Sequence, residues 1–297
     1  MTIEEALRRA AARLKDAGIE RCRLEAEILL AHVLRVRRLY LLAHGDQPLA
    51  AQECSSFEAL VARRSSRYPL PYLTGEREFM GLTFQVNEHV LIPRQETETL
   101  VEAAVEALRQ HAAAHPNPRV FDVGTGSGAI AVSIAHYVPQ ARVVATDISA
   151  AACAVARANA QRLGVAERVE VRQGNLLEPL ETRPGAGLPP QERAHALCAN
   201  LPYIPEESLQ QLQPEVRHWE PRVALVGGPG GLEVLGRLVA RAAEFVCPGG
   251  HLFLEIGPEA DQAARLTQRL TADGCWGSVT VLRDLAGLPR VVAAVRR

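Results

Sequence analysis

Asn200, Leu201, Pro202 and Tyr203 follow an apolar stretch, HALCAN, that reads as a β-strand. An asparagine followed by a proline and an aromatic residue suits methylation of an sp² nitrogen. The lone pair of an amide nitrogen is delocalised and poorly nucleophilic, so alignment must make up for weak reactivity. Two acceptors, the Asn200 side-chain oxygen and the Leu201 backbone carbonyl, can grip both N–H protons and aim the nitrogen at a methyl group. Pro202 fixes the backbone so that the second carbonyl keeps its direction. Tyr203 offers a flat face against which a planar amide or base can pack. A methyl carried on a sulfonium is already activated, so no strong general base is required.

Earlier in the chain, DVGTGSGAIA (122–131) follows one strand-like stretch and opens a helical one. Gly124, Gly126 and Ala129 fit G-x-G-x-x-G/A, and Asp147 ends the next strand 23 residues after Gly124. The glycines let the backbone turn tightly, and the helix N-terminus offers unsatisfied N–H groups to an anion. The Asp147 carboxylate can accept two hydrogen bonds from a ribose diol, and Asp122 is placed to favour a cationic amino group. This pattern marks an adenosine-containing cofactor. S-adenosylmethionine and a nicotinamide dinucleotide both fit the loop; the tetrapeptide favours the former, because a dehydrogenase has no use for it. Both motifs end strands, and open α/β sheets bind ligands outside the carboxyl ends of their strands.

The elements that position these residues are legible from periodicity. Residues 3–68 read as a small helical bundle, with Ile3, Ala6, Leu7, Ala10, Ala11 and Leu14 on one face, Gly18 as a stop, and a last helix from Ala51 to Arg67. Aromatic and β-branched residues around Gly75 and Gly81 predict a β-hairpin between Pro69 and Pro93, followed by a helix from Glu96 to His115. From Arg119 onward strands and helices alternate: strands at 120–124, 143–147, 169–173, 195–200 and 251–257, helices near 128–137, 150–163 and 231–246, and a closing pair, VTVLRD and RVVAAVR. Residues 182–192 read as a loop. The fold class is α/β, a mostly parallel sheet covered on both faces. The expected division is 1–70 helical, 71–93 hairpin linker and 94–297 cofactor-binding.

Composition excludes several classes. The formal net charge is −1, and residues 1–75 hold 12 bases and 9 acids. That balance argues against a general nucleic-acid coat, and no basic stripe suggests direct nucleic-acid binding. No apolar run approaches the roughly 18 residues of a membrane span, and the N-terminus lacks a signal-peptide core. A cytoplasmic monomer is expected. Six scattered cysteines without a C-x-x-C pair read as reduced thiols, and the histidines, His111 and His115 included, show no metal-ligand spacing. Glu96 and Glu98 read as first-turn helix residues rather than a catalytic pair. Glu255, at a strand end, could face the crevice or make a structural hydrogen bond.

Several segments resemble the HemK-type release-factor glutamine methyltransferases, and the likeness spans nearly the whole chain: PLPYLTGEREFMGLTFQV (69–86), VLIPRQETETLVE (90–102), FDVGTGSGAIAVSIA (121–135), ANLPYIP (199–205), EPRVALVGGPGGL (220–232), LEIG (254–257) and DLAGLPRVV (284–292). The resemblance implies a class I methyltransferase domain with a seven-stranded Rossmann-like sheet and a helical N-terminal domain that recognises a protein substrate. That substrate would be the glutamine of the Gly-Gly-Gln motif in peptide-chain release factors, methylated on N5 with S-adenosylmethionine. By position, Gly124, Thr125, Gly126, Ser127, Gly128 and Asp147 would bind the cofactor, Asn175 and Leu176 would lie beside its adenine, and Asn200 to Tyr203 would hold the glutamine amide, with Asn200 also touching the cofactor. The chain departs from the family pattern at five places. Leu201 stands for a common proline, Asn175 for aspartate and Leu176 for an aromatic. Gln95 stands for the second proline of P-R-P-E-T, and Gly230 for aspartate. An adenine-N6 methyltransferase acting on RNA or DNA is the rival reading, because NLPY also occurs there. A non-catalytic binding module and a nicotinamide-dependent oxidoreductase are the others.

Overall fold

The computed structural model describes residues 1–111, 115–181, 183–258 and 260–297. The chain divides into two units, Met1–Glu76 with Gln213–Trp219, and Arg77–Leu212 with Glu220–Arg297.

The smaller unit is helical: α1 (Ile3–Asp16), α2 (Cys22–Leu34), α3 (Arg38–Ala43), α4 (Ala51–Ser65), α5 (Leu70–Thr74) and, from later in the chain, α9 (Pro214–Trp219). A reciprocal Thr2–Glu5 capping box starts α1, which buries Ile3, Ala6, Leu7, Ala10 and Leu14. Gly18, in the left-handed region at φ 74°, follows the end of that helix. Arg64 is buried, yet its guanidinium is satisfied by Glu25 at 2.5 Å and Glu215 at 2.9 Å. Arg67 also reaches Glu215 at 2.7 Å, and Tyr68 meets Trp219 edge-on at 4.9 Å. Removing Glu215 would leave the buried Arg64 with Glu25 alone and Arg67 without this carboxylate, so these contacts fix Gln213–Trp219 in this unit.

The larger unit opens with a two-stranded sheet, β1 (Glu76–Phe79) and β2 (Leu82–Gln85). A 3₁₀ turn (Gln95–Thr97) leads into α6 (Glu98–Gln110); residues 112–114 of the expected helix lie outside the described residues. Then follow β3 (Arg119–Val123), α7 (Ala129–Tyr137), β4 (Arg142–Asp147), α8 (Ala150–Arg162), β5 (Val169–Gln173), β6 (Ala194–Ala199), α10 (Arg222–Leu225), α11 (Glu233–Ala242), β7 (Val246–Glu255), α12 (Ala260–Asp273), β8 (Trp276–Arg283) and β9 (Pro289–Arg296). The seven-stranded sheet has the order β5-β4-β3-β6-β7-β9-β8, and β9 runs antiparallel to both of its neighbours. One buried apolar cluster gathers residues of α6, α7 and α8, the other residues of α11 and α12. This is the class I methyltransferase fold.

The structure differs from the sequence reading in several places. Leu70–Thr74 is a short helix despite Pro71, because proline is tolerated in a first helical turn. α11 starts at Glu233 rather than 231, because Gly230 and Gly231 hold positive φ; no side chain caps it. α3, α9, α10 and α12 went unread. The first three are too short to show a period, although α12 carries buried Ala263, Leu266 and Leu270 at helical spacing.

Candidate functional site

β3 has β4 on one side and β6 on the other, so the chain order switches direction there, where open α/β sheets bind ligands. Val123 pairs with Ala199, so the glycine loop and the tetrapeptide leave the sheet side by side. A cavity of about 530 Å³ opens at this point, within the usual size for small-molecule sites. Gly124 to Ser127, Asp147, Asn175, Leu176 and Asn200 to Pro202 line it. Asp122, Gly128 and Tyr203 are not in its wall.

The loop is held from below. Asp122 is fully buried, and its Oδ2 accepts from the Thr125 hydroxyl at 2.6 Å and the Ala131 N–H at 3.1 Å. Burial pushes its carboxyl up to about 7, with the nearby Asp147 adding to the rise. Asp122 Oδ2 therefore braces the loop, and its Oδ1 has no hydrogen-bond partner among the described residues. Gly128 packs against α8, where a Cβ would come within 3.2 Å of Ala156. Asn159, buried on α8, donates to the Ser127 carbonyl at 2.8 Å and exchanges two bonds with Gln85, joining the loop to the hairpin. Gly124 holds φ 78°, and a Cβ there would stand 2.6 Å from Leu201 Cδ2.

Asp147 ends β4 with Oδ2 accepting from the Gly126 N–H at 2.8 Å and Oδ1 from Ser149 N–H at 2.9 Å. Burial raises its pKa and these two bonds oppose the rise. Each oxygen keeps a further lone pair for a diol. Asn175 donates its Nδ2 to Glu178 at 3.0 Å, which leaves its Oδ1 to accept from an adenine amino group. Leu176 holds φ 51°, a conformation rare outside glycine and asparagine, and its carbonyl is anchored by the Thr146 hydroxyl at 2.9 Å. A largely apolar cavity with acceptors at Asp147 and Asn175 fits an adenosine cofactor.

The tetrapeptide is fixed from the other side by the EPRVALVGGPGG segment. Ile204 N–H donates to Leu225 and Gly227 N–H donates to Ile204, both at 3.0 Å. A Cβ on Gly227 would lie 2.5 Å from the Pro202 carbonyl, and one on Gly231 2.1 Å from the Tyr203 carbonyl. Those glycines exist so that two backbones can touch. Gln262 of α12 donates to the Tyr203 carbonyl at 2.8 Å. Glu220 is buried, accepts from the Ile92 N–H at 3.3 Å and pairs with the Arg94 guanidinium. The DLAGLPR segment forms a self-capped turn: Asp284 accepts from the Ala286 and Leu288 N–H groups and from Arg290, each at 3.0 Å.

Asn200 donates its Nδ2 to the Thr97 hydroxyl at 3.1 Å. Tyr203 donates its hydroxyl to Glu255 at 3.3 Å, and burial pushes that phenol's pKa up. Glu255 thus makes a structural hydrogen bond. Sequence reasoning missed Thr97, Gln262, Glu220 and Asn159. Their types are ordinary for helix starts and helix faces, and their partners lie between 32 and 128 residues away.

Two family models match, the PrmC N-terminal domain over residues 5–75 and a methyltransferase domain over 120–219. The chain is 47% identical over 297 residues to the release factor glutamine methyltransferase of Moorella thermoacetica, covering 100% of this chain and 99% of that one. It belongs to the release factor glutamine methyltransferases. The enzyme of that name from Bordetella pertussis is 43% identical, with 94% of this chain and 96% of that one covered. Among solved structures, the catalytic domain of human Mettl16 in complex with an RNA hairpin superposes with TM-score 0.55 at 16% identity, covering 80% of this chain and 81% of that one. That likeness concerns the fold alone. The chain is an S-adenosylmethionine-dependent methyltransferase.

Asp147→Ala is expected to weaken S-adenosylmethionine binding on the order of 10- to 100-fold, because the ribose acceptors and the Gly126 anchor go together. Calorimetric titration of the purified variant checks this; unchanged affinity would remove Asp147 from the cofactor site.

Proposed function

We propose that the protein methylates the side-chain amide nitrogen, N5, of the glutamine in the Gly-Gly-Gln motif of peptide-chain release factors. One observation carries the chemical part. The Asn200 Nδ2 is engaged by Thr97, so its Oδ1 is the atom left to accept, next to a Leu201 carbonyl without a hydrogen-bond donor among the described residues. These two acceptors take the two N–H protons of the amide. When bound, S-adenosylmethionine supplies an electrophilic methyl. The chain's residues hold the nitrogen lone pair toward it and draw electron density onto nitrogen as it reacts. Gly124, Thr125, Gly126, Ser127, Asp147, Asn175 and Leu176 hold the cofactor, with Asp122 and Gly128 shaping the loop. Leu201 contributes its carbonyl, which a proline there would supply equally.

An adenine amine has the same two protons, but the full-length relatives carry glutamine in their names. Residues 1–70 serve as the docking domain for the release factor, 71–93 as the linker and 94–297 as the catalytic domain. Among the described residues no helix is long and apolar enough to cross a membrane. The site of action is the cytoplasm, where release factors work. Methyl transfer to unmodified release factor, with ribosomal RNA as a parallel acceptor, tests the reading.

A further inference from the structure

Exposed apolar side chains are ordinary when scattered, but grouped on one edge of a domain they mark a surface that meets another molecule. Among the described residues, the large apolar side chains left exposed on the larger unit are Ile148, Val223, Val281, Leu285 and Leu288. All five belong to one edge. Ile148, directly after β4, and Val223 of α10 line the cavity while staying more than half exposed. The other three sit where β8 turns into β9. β9 is antiparallel to both β7 and β8, so β8 runs in the direction of β7 and ends at the same edge. The register agrees: Val281 pairs with Val292, and Val292 with Leu254, one residue before the end of β7. The β8–β9 turn therefore leaves the sheet at its carboxyl edge, which also carries Gly124, Asp147 and Asn200.

The turn is built to hold a leucine in water. Asp284 collects the Ala286 and Leu288 N–H groups and the buried Arg290 guanidinium. Gly287 holds φ 77°, and Arg283 donates to its carbonyl at 2.7 Å. Leu285 stands at the tip, 95% exposed. A polar residue would satisfy the same turn, because its hydrogen bonds run through Asp284, Gly287 and backbone N–H groups and never through the Leu285 side chain.

The edge also indicates the occupant. A glutamine that reaches the cavity belongs to a folded protein, and the surface around that glutamine must lie against this edge. β8 stands three strands from β6 in the sheet, about 14 Å at the usual strand spacing. An ordinary protein–protein contact covers about 800 Å² of each partner, a patch roughly 30 Å across, so one contact spans both. RNA is held through its phosphates by cations and gains little from exposed leucines. We infer that the β8–β9 turn is a docking element for the release factor, with Leu285 and Leu288 packing on apolar side chains that flank its Gly-Gly-Gln motif. The inference rests on the release factor being the substrate.

The test is steady-state methylation of purified release factor by the full-length enzyme, with calorimetric titration of the same release factor. Leu285→Ser removes apolar area without adding charge. The side chain is exposed, so the melting temperature should stay within about 2 °C of wild type. KM and Kd for the release factor should rise on the order of tenfold, and further when Leu288→Ser is added. The kcat at saturating release factor and the affinity for S-adenosylmethionine should stay within about twofold. Arg142→Ser, at an exposed position that starts β4 on the opposite edge, should leave KM and Kd unchanged. A Leu285→Ser enzyme with wild-type KM and Kd overturns the inference and leaves the functional reading standing. So does a wild-type dimer that this change turns into a monomer with both constants unaltered, which would give the edge to a second copy of the chain. A wild-type enzyme that labels RNA and not the release factor overturns the functional reading and this inference with it.

Discussion

Replacing Asn200 with alanine is expected to lower methyl transfer by about 10²- to 10³-fold while leaving S-adenosylmethionine binding nearly intact. The expectation follows from the division of labour in the site. In the proposed site the glycine loop, Asp147 and the Asn175–Leu176 turn hold the cofactor, whereas Asn200, which lines the cavity with its Nδ2 on Thr97, offers Oδ1 as one of two acceptors. Truncation removes that acceptor at the moment the nitrogen must be aligned, so the loss appears in kcat. The fold should survive, because Asn200 is partly exposed to a cavity and its side chain makes one hydrogen bond, to Thr97. Labelled-methyl assays and calorimetric titration on the same preparation separate the two effects. Wild-type turnover by this variant would remove the proposed amide grip.

Gly124→Ala is expected to harm both folding and cofactor binding. The residue holds φ 78°, and the added methyl would sit 2.6 Å from Leu201 Cδ2. Left-handed strain and overpacking together should cost roughly 2–4 kcal/mol. In a unit of this size that lowers the melting temperature by about 10 °C. Relief is available only by moving the tetrapeptide or the loop, so cofactor affinity should fall by at least about tenfold. Gly126→Ala is the control for unfolding: φ is 55°, but nothing lies within 4 Å of the new methyl, so its stability cost should be about 1–2 kcal/mol. Equal thermal shifts in the two variants would show that the approach of Leu201 to Gly124 is not what demands glycine.

Much of this architecture was legible in the chain because the decisive elements are buried on both faces. β3, β4 and β6 are short apolar runs, and each ends in a residue type that belongs at a ligand: Gly124, Asp147 and Asn200. Local rules also placed the stop at Gly18 and the face of α1. They failed where a local signal has two outcomes. Pro71 reads as a breaker but sits in the first turn of α5. Asp122 reads as a ligand-facing acid, yet it ends up under the loop as a brace for Thr125 and Ala131. Tyr203 reads as a flat packing face, and the structure adds a bond from its hydroxyl to Glu255 that the sequence did not show. The support of the tetrapeptide was invisible, because Thr97, Glu220 and Gln262 act through contacts that only the fold creates. The repeated glycines of VGGPGG were the one local sign of it, and they mark where its backbone meets that of Pro202 and Tyr203.

The central claim is that this chain carries methyl to a glutamine amide of a release factor. The most direct measurement incubates the purified protein with methyl-labelled S-adenosylmethionine, unmodified release factor and ribosomal RNA as a separate acceptor, then maps the label by mass spectrometry. The account predicts label on the glutamine of Gly-Gly-Gln and none on a release factor in which that glutamine is alanine. Label confined to RNA adenine, or equal labelling of the alanine variant, would contradict it.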